Sequence, residues 1–355
     1  MAVHLEVSPF LLIQMRNIYT LLRLASRIRN RRVRMFGLFL MHLARRRYVG
    51  IFIDPVLGCN FRCRMCYFSD ENKRKEMHGH FGQSELDRIA RALFHRALKL
   101  QIGCGAEPTL SKDLIHLIRL GKQHGVPFIT LTTNGHLLTP DLLHQALDAG
   151  LDELTLSMHG TTQATYESLM VNGRFSRFCE LLQSVGEIAP HYPHFRLRIN
   201  YTMNEDNVAE LASLPSLMEG IPLHVLQLRP IQQIGASSYT NFSLTKIREE
   251  YDRVIAPLVE LCRDRGITVL TPEKENLAVL AEDEVAGNDT AFEKATYVYV
   301  SPQQCWRKDF DFRSESFESY AARTRLSWQL LRQVFVSSPP PSKSVTTKMN
   351  YSVKK

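Results

Sequence analysis

From about residue 50 onward the chain alternates short β-rich runs with amphipathic stretches of helical period, and this alternation limits the possible folds more than any other feature. The runs 51–57, 98–103, 127–132, 153–157, 195–202 and 224–228 are rich in apolar and β-branched residues and read as six strands. Between and after them, 84–97, 112–124, 140–149, 175–188 and 207–218 carry apolar residues at helical spacing. Start signals recur: Ser84 reads as an N-cap, Ser111-Lys112-Asp113 precedes the second helix, and Thr139-Pro140 places proline at a first helical position. Gly125 and Gly150 each follow a helical pattern just ahead of the next strand, as C-terminal glycines do. Strands that alternate with helices predict a parallel sheet joined by right-handed crossovers. Six such units are too few to close an eightfold barrel, so the expected fold is α/β, a partial (β/α)6 TIM-like barrel. A further helix at 244–266 precedes a strand-like 267–270, and beyond Thr271 the pattern weakens.

With 355 residues, 44% of them hydrophobic, the chain has enough material for one large barrel-type domain. Its formal charge of +8 is concentrated in the first 50 residues, which hold ten arginines against one acid, Glu6. The remainder is close to neutral, which speaks against nucleic-acid binding by the part that would do chemistry. Residues 16–47 interleave arginines with Leu21, Leu22, Ile28, Met35, Phe36, Leu38, Phe39 and Leu40, a pattern that sets arginines beside an apolar helical face. The uncharged apolar stretch 35–44 is about half of the roughly 20 residues that a membrane span needs. The plain expectation is an N-terminal helix packed on the barrel with a solvated basic face. Contact with an anionic membrane surface or an acidic partner through residues 16–47 is the other. No basic stretch followed by an apolar core and a small-residue cleavage site is present, so a secretory signal is not expected.

Seven cysteines is an odd number, and three fall within eight residues, too tight for an extracellular disulfide framework; a reducing, cytoplasmic setting fits better. Those three form Cys59-Asn60-Phe61-Arg62-Cys63-Arg64-Met65-Cys66, a C-x3-C-x2-C loop immediately after the first strand. Three thiolates can ligate three irons of a 4Fe–4S cube, and the loop offers no fourth cysteine, so one iron would stay open. Zinc is the rival, with Cys104, His78 or His80 as fourth ligand, although zinc sites usually come as paired C-x2-C or C-x2-H elements. The lone cysteines Cys104, Cys179, Cys262 and Cys305 read as small buried hydrophobes.

The cysteine loop is similar to the signature of the radical SAM superfamily. Met65 stands where the family usually has an aromatic residue that contacts adenine, with Tyr67 just after the third cysteine. Gly105-Ala106-Glu107-Pro108, one strand–helix unit later, resembles the family's GGEP motif, whose backbone and carboxylate groups bind the amino group of S-adenosylmethionine (SAM). Thr132-Thr133-Asn134-Gly135 resembles its TNG turn, and Ser157-Met158-His159-Gly160 its S-x-D/H-G turn. The resemblance therefore implies a [4Fe-4S] cluster on Cys59, Cys63 and Cys66. It also implies SAM bound through Gly105, Ala106, Glu107, Pro108, Met65, Thr133 and Ser157. Some peptide-modifying members carry an arginine about twelve residues after the serine; Leu169 stands there, and that role is not carried over.

The implied activity is reductive cleavage of SAM to a 5'-deoxyadenosyl radical that takes hydrogen from an unidentified substrate, whether a peptide or protein, a lipid-linked compound or a small metabolite. An external electron donor such as flavodoxin or ferredoxin is implied with it. Cys305-Trp306 resembles the opening of an auxiliary-cluster domain whose remaining cysteines are absent. The alternative is a non-catalytic zinc or iron–sulfur binding module. On this reading 1–48 is a basic helical extension, 49–270 the radical SAM core, 271–333 a small C-terminal extension, and 334–355 an irregular Ser/Pro tail expected to be disordered.

Overall fold

The computed structural model of the protein describes residues 28, 30–233, 235–277, 290–336 and 352–354. Seven strands, β1 (Val49–Ile53), β2 (Ala97–Ile102), β3 (Phe128–Thr133), β4 (Glu153–Met158), β5 (Arg196–Met203), β6 (Leu223–Pro230) and β7 (Thr268–Thr271), lie side by side in chain order, each parallel to the next. β8 (Tyr297–Ser301) joins the free edge of β1, also in parallel. β9 (Gln304–Cys305) and β10 (Ser352–Lys354) add antiparallel edges beside β8 and β7. The order β10-β7-β6-β5-β4-β3-β2-β1-β8-β9 does not close on itself, so the sheet is the expected partial TIM-like barrel. All six expected core strands are present, with ends displaced by a few residues.

Alternation along the strands separates two faces. Leu100, Ile102, Ile129, Leu131, Leu154, Leu156, Leu197, Ile199, Leu226 and Leu228 are fully buried and form the core beneath the helices. Those helices include α2 (Gln83–Leu93), α3 (Leu114–Gln123), α4 (Pro140–Asp148) and α5 (Phe175–Ile188). Gly121 of α3 shows how close the layers come: a Cβ there would press on the side chains of Ile129 and Leu100. Residues of the other parity face the concave side.

Thr139 caps α4 as expected, accepting from the Leu142 amide at 3.2 Å. Gly125 (φ +68°) and Gly150 (φ +103°) occupy left-handed backbone after their helices. The cap of α2 is Gly82 and not Ser84, which falls in the first turn. Phe81 is buried and its amide is bonded to the Pro55 carbonyl, so the helix begins directly behind that anchor. The expected helix 207–218 is broken into a 3-10 segment (Val208–Ser213) and a single turn (Leu214–Leu217), because Pro215 has no amide hydrogen to continue a helical ladder. Pro257 has the same effect on 244–266, which splits into Thr245–Glu249, a π-turn (Tyr251–Ile255) and α6 (Ala256–Asp264).

A helix from the N-terminal part of the described residues meets two helices of the C-terminal segment on the β1 side. α1 (Arg31–Leu43), capped by Asn30, buries Met35, Leu38 and His42 and packs against α8 (Leu326–Phe335), which follows α7 (Phe317–Arg323). The Arg31 guanidinium donates to the carbonyls of Gln333 (2.8 Å) and Val336 (3.0 Å) at the C-terminal end of α8, where positive charge is favoured. Residues 31–43 form a helix packed against α8, but its outward side exposes Val33, Phe36, Leu40 and Leu43 and is not the expected solvated basic face. Most of the expected disordered tail lies outside the described residues; 334–335 end α8, and 352–354 form β10. Among the described residues no helix is long and apolar enough to cross a membrane.

The C-terminal segment is clamped to the barrel by an ion pair whose arginine is buried and whose carboxylate is half-exposed. Arg96, 2% exposed, donates from Nε and Nη2 to the two Glu318 carboxylate oxygens at 2.6 and 3.0 Å. Partial burial pushes the Glu318 carboxyl up, but hydrogen bonding to Arg96, the Arg96 charge and His95 outweigh it, so the net shift is downward. A depressed carboxyl contributes stability that is present above the unfolded carboxylate range and is lost as pH falls through the folded value. Urea midpoints measured against pH should therefore fall on the acid side in the wild type. Glu318→Gln should be less stable near neutrality and should lack that part of the acid slope.

Candidate functional site

Loops at the C-terminal ends of β1 to β5 converge on one another, and one buried carboxylate joins three of them. Glu107, 2% exposed, follows β2. Its Oε1 accepts from the Thr109 amide (3.1 Å), the Thr109 hydroxyl (2.5 Å) and the Thr133 hydroxyl (2.6 Å), and its Oε2 accepts from the Asn134 amide (2.9 Å). The Glu107 amide donates to the Gly58 carbonyl at 2.8 Å, at the start of the cysteine loop. Asn134 continues the chain of contacts, donating from Nδ2 to Asn60 Oδ1 at 2.8 Å, with the Cys59 sulfur 3.9 Å away. Burial raises the Glu107 carboxyl, and its hydrogen bonds to Thr109, Thr133 and Asn134 oppose that shift.

The cysteine loop is held from its other side by main-chain bonds, Arg62 N to Val171 O and Arg64 N to Leu169 O, both 2.9 Å. Arg62 folds back to donate to the carbonyls of Cys59 and Phe61 at 2.6 Å each. Backbone amides point at two of the sulfurs: Phe61 N at Cys59 (3.4 Å) and Phe68 N at Cys66 (3.5 Å). Burial pushes the Cys59 thiol up to about 12 and raises Cys63 and Cys66, and the mutual field of the thiols and of Glu107 adds to the shift at Cys59 and Cys63. Three thiols raised by burial need a cationic centre to become thiolates, and amides aimed at sulfur suit a coordinated thiolate. The donor set therefore fits an iron–sulfur cluster. Among the described residues no group of three or more His, Cys, Asp and Glu side chains is gathered as a metal-ion site, so Cys104, His78 and His80 do not complete a zinc set with the loop. In a cube each thiolate serves its own iron, and the sulfurs need not converge on one point.

Asp54, at the end of β1, is fully buried and was not singled out by the sequence. Its Oδ1 accepts from the Cys104 amide at 2.7 Å, and its Oδ2 from the Gly105 amide at 3.1 Å and the Tyr299 hydroxyl of β8 at 2.8 Å. The Gly105 carbonyl accepts from the Tyr67 hydroxyl, and a Cβ at Gly105 would collide with that hydroxyl. The signal for Asp54 was an acid ending an apolar strand; Tyr299, nearly 250 positions away, had none.

The remaining expected residues fall at the same strand ends in different situations. Pro108 is buried and opens a short 3-10 turn (Pro108–Leu110). The Thr133 hydroxyl is spent inside the protein, donating to Glu107 and accepting from the Gly135 amide at 3.0 Å. Ser157 lies half-buried on the concave face opposite Asn200, and among the described residues no hydrogen bond of its hydroxyl is found. Met65 is buried, its sulfur 3.0 Å from Nδ2 of Asn204, a fully buried residue just after β5. Asn207 secures the same corner, donating to the carbonyls of His159 (3.0 Å) and Thr202 (2.9 Å). Of the cysteines expected to be buried, Cys262 is, Cys179 and Cys305 are half-buried, and Cys104 is exposed. In Cys104 the amide is fixed by Asp54 at the end of the strand, and the sulfur lies 3.9 Å from the Gln101 carbonyl.

Below the loops the concave face is polar. Lys99, Gln101, Thr130, Glu153, Thr155, Arg198, Asn200 and Gln227 share the inward parity of β2 to β6. Lys99 donates to Gln101 at 3.0 Å, and burial lowers its ammonium to about 8. Arg198 donates to Asn200 at 2.9 Å and to Gln227, and lies 3.8 Å from Glu153. Burial lowers His159 to about 4, leaving it neutral at physiological pH; its Nδ1 accepts from the Thr202 amide at 3.3 Å.

Residues 53–191 match the family model described as Radical SAM superfamily. The chain is 27% identical over 197 residues to a probable GTP 3',8-cyclase of Saccharolobus solfataricus, covering 55% of this chain and 61% of that protein. A protein of the same description from Sulfolobus acidocaldarius is 26% identical over 193 residues, 54% of this chain and 59% of its own length. The matched span is thus about three fifths of the length of these curated relatives. The fold is similar to that of Streptococcus suis SuiB bound to S-adenosylmethionine, with a TM-score of 0.55 at 16% identity over 72% of this chain and 59% of that one. The ordered motifs, the open parallel barrel and the match over 53–191 together liken that part of the chain to the Radical SAM superfamily.

Proposed function

We propose that this chain is a radical SAM enzyme, in which Cys59, Cys63 and Cys66 hold a 4Fe–4S cluster and the loops after β2 to β5 hold S-adenosylmethionine. The observation that carries the reading is the junction at Glu107, which ties the cysteine loop, the Gly105–Pro108 turn and the Thr133-Asn134 turn into one body. The chemistry supplied by the bound cofactors is one-electron cleavage of the SAM sulfonium to methionine and a 5'-deoxyadenosyl radical, with an external donor of the flavodoxin or ferredoxin kind as reductant. The chain's own part is positional. Asp54 and Tyr299 fix the 104–105 peptide, so that the backbone of Gly105 and Ala106 is set for an ammonium group. Glu107 keeps one lone-pair direction on Oε2 for the same group, while Thr133 acts through Glu107. Ser157 and Met65 are the contacts proposed for the nucleoside part.

The concave face supports a polar substrate that bears an anionic group. Its cations Lys99, Arg196, Arg198 and Arg229 outnumber Asp54 and Glu153, and the cleft wall desolvates Lys99. The names of the curated relatives refer to GTP, a substrate of that character.

The deciding measurement is anaerobic: reconstitute the protein with iron and sulfide, add dithionite and SAM, and quantify 5'-deoxyadenosine. Product should form, and Cys63→Ala should lose both the cluster absorbance and the product; a colourless protein with stoichiometric zinc would overturn the reading. Glu107→Gln should weaken SAM binding about tenfold or more, the scale of one charge-assisted hydrogen bond, and Thr133→Val should act in the same direction by less. For the substrate, GTP serves as a polyanionic probe in equilibrium binding. Lys99→Met and Arg198→Met should each weaken it about tenfold, while substrate-free cleavage of SAM persists. Equal binding by wild type and variants would remove the anionic-substrate reading and leave the radical chemistry standing.

A further inference from the structure

α1 is apolar on two opposite sides. At 100° per residue, Met35, Leu38 and His42 fall on one side and are buried, whereas Val33, Phe36, Leu40 and Leu43 fall within one narrow stripe on the other and are 46–54% exposed. A helix that packs on a soluble body by one face ordinarily turns polar residues outward. Its neighbour α8 lies antiparallel to it, since Arg31 at the start of α1 bonds to Gln333 and Val336 at the end of α8. α8 adds Trp328, 63% exposed, and Phe335, 74% exposed. Neither helix contains an acidic residue, and Arg32, Arg45, Arg46, Arg325 and Arg332 are exposed on or beside them.

We infer that the α1–α8 layer is a docking face for a bilayer surface bearing anionic headgroups. Charge decides among the occupants that an apolar stripe admits. A second copy would set arginine against arginine with no acid to pair. Residues 1–27 of this chain bring Arg16, Arg23 and Arg27 against Glu6 alone, and meet the same objection. An anionic lipid surface supplies negative charge at the headgroups and an apolar layer just beneath, which matches a stripe of Phe, Leu and Trp edged by arginine. The thirteen residues of α1 are too few to span, so the helix would lie in the plane of the interface, with Trp328 at headgroup depth. The inference does not depend on the radical chemistry, and its test does not use activity.

The test is co-sedimentation of the full-length protein with vesicles of equal parts phosphatidylglycerol and phosphatidylcholine, against phosphatidylcholine alone, at low and high salt. Binding should favour the anionic vesicles by about tenfold or more and weaken with salt. Phe36→Ser/Leu40→Ser should lose most of it, and Arg45→Gln/Arg46→Gln should weaken it and flatten the salt dependence; circular dichroism confirms that the variants are folded. A second readout needs no apolar substitution. The chain has two tryptophans, of which Trp306 is buried, so brominated lipid should quench Trp328 and leave a Trp328→Phe variant unaffected. Failure to sediment, or equal binding by every variant, overturns the inference. A salt-stabilised dimer that Phe36→Ser/Leu40→Ser abolishes also overturns it and assigns the face to a second copy.

Discussion

A carboxylate removed from water is costly unless its oxygens are satisfied, and Glu107 meets that demand by recruiting donors from two separate strand ends. Thr109 lies in its own turn, while Thr133 and Asn134 belong to the next unit of the barrel. The Glu107 amide reaches the loop that carries the cysteines. A shift in any of these loops would strand buried polar atoms in the others, so the three behave as one rigid piece. The cysteine loop has no regular secondary structure of its own to hold its sulfurs in place. Its order is borrowed from Glu107 and Asn134 on one side and from the main chain at 169–171 on the other.

The sheet divides its chemistry by parity. Outward positions are Leu and Ile packed under helices, and they supply the stability of the fold. Inward positions are Lys, Gln, Thr, Glu, Arg and Asn, which a packed barrel interior would not tolerate. The inward groups resolve the conflict by pairing with one another, Lys99 with Gln101 and Arg198 with Asn200 and Gln227, while Thr130, Glu153 and Thr155 are buried among them. Lys99 shows the balance: enough protein surrounds it to lower its ammonium, yet its side chain is not sealed from solvent.

The C-terminal segment completes the β1 edge as well as covering it. β8 extends the sheet beside β1 and delivers Tyr299 to Asp54, so the peptide that precedes the Gly105–Pro108 turn is held by a residue from the far end of the chain. The same segment clamps Arg96 through Glu318 and presents α8 to α1. An N-terminal helix and a C-terminal helix thus form a shared layer whose outer side is apolar and basic, away from the core packing of both.

Much was legible in the sequence because it is local. The strand periods, most helix periods, Gly125 and Gly150 as helix stops and Thr139 as a cap depend on near neighbours, and they appear where their patterns placed them. The breaks at Pro215 and Pro257 were equally local, but a strong helical period masked them. Glu107, Thr133 and the three cysteines could be named from their motifs; that one carboxylate joins them could not, since hydrogen bonds between strand ends have no sequence period. Asp54, Asn204 and Tyr299 escaped for the same reason, each being ordinary until the fold brings its partner near. The sequence by itself determined the alternating architecture and named the candidate site residues, because side-chain period and motif spacing record local geometry. Tertiary structure alone decided which polar groups share a site and which apolar face stays uncovered, because those depend on distances between segments that are remote along the chain.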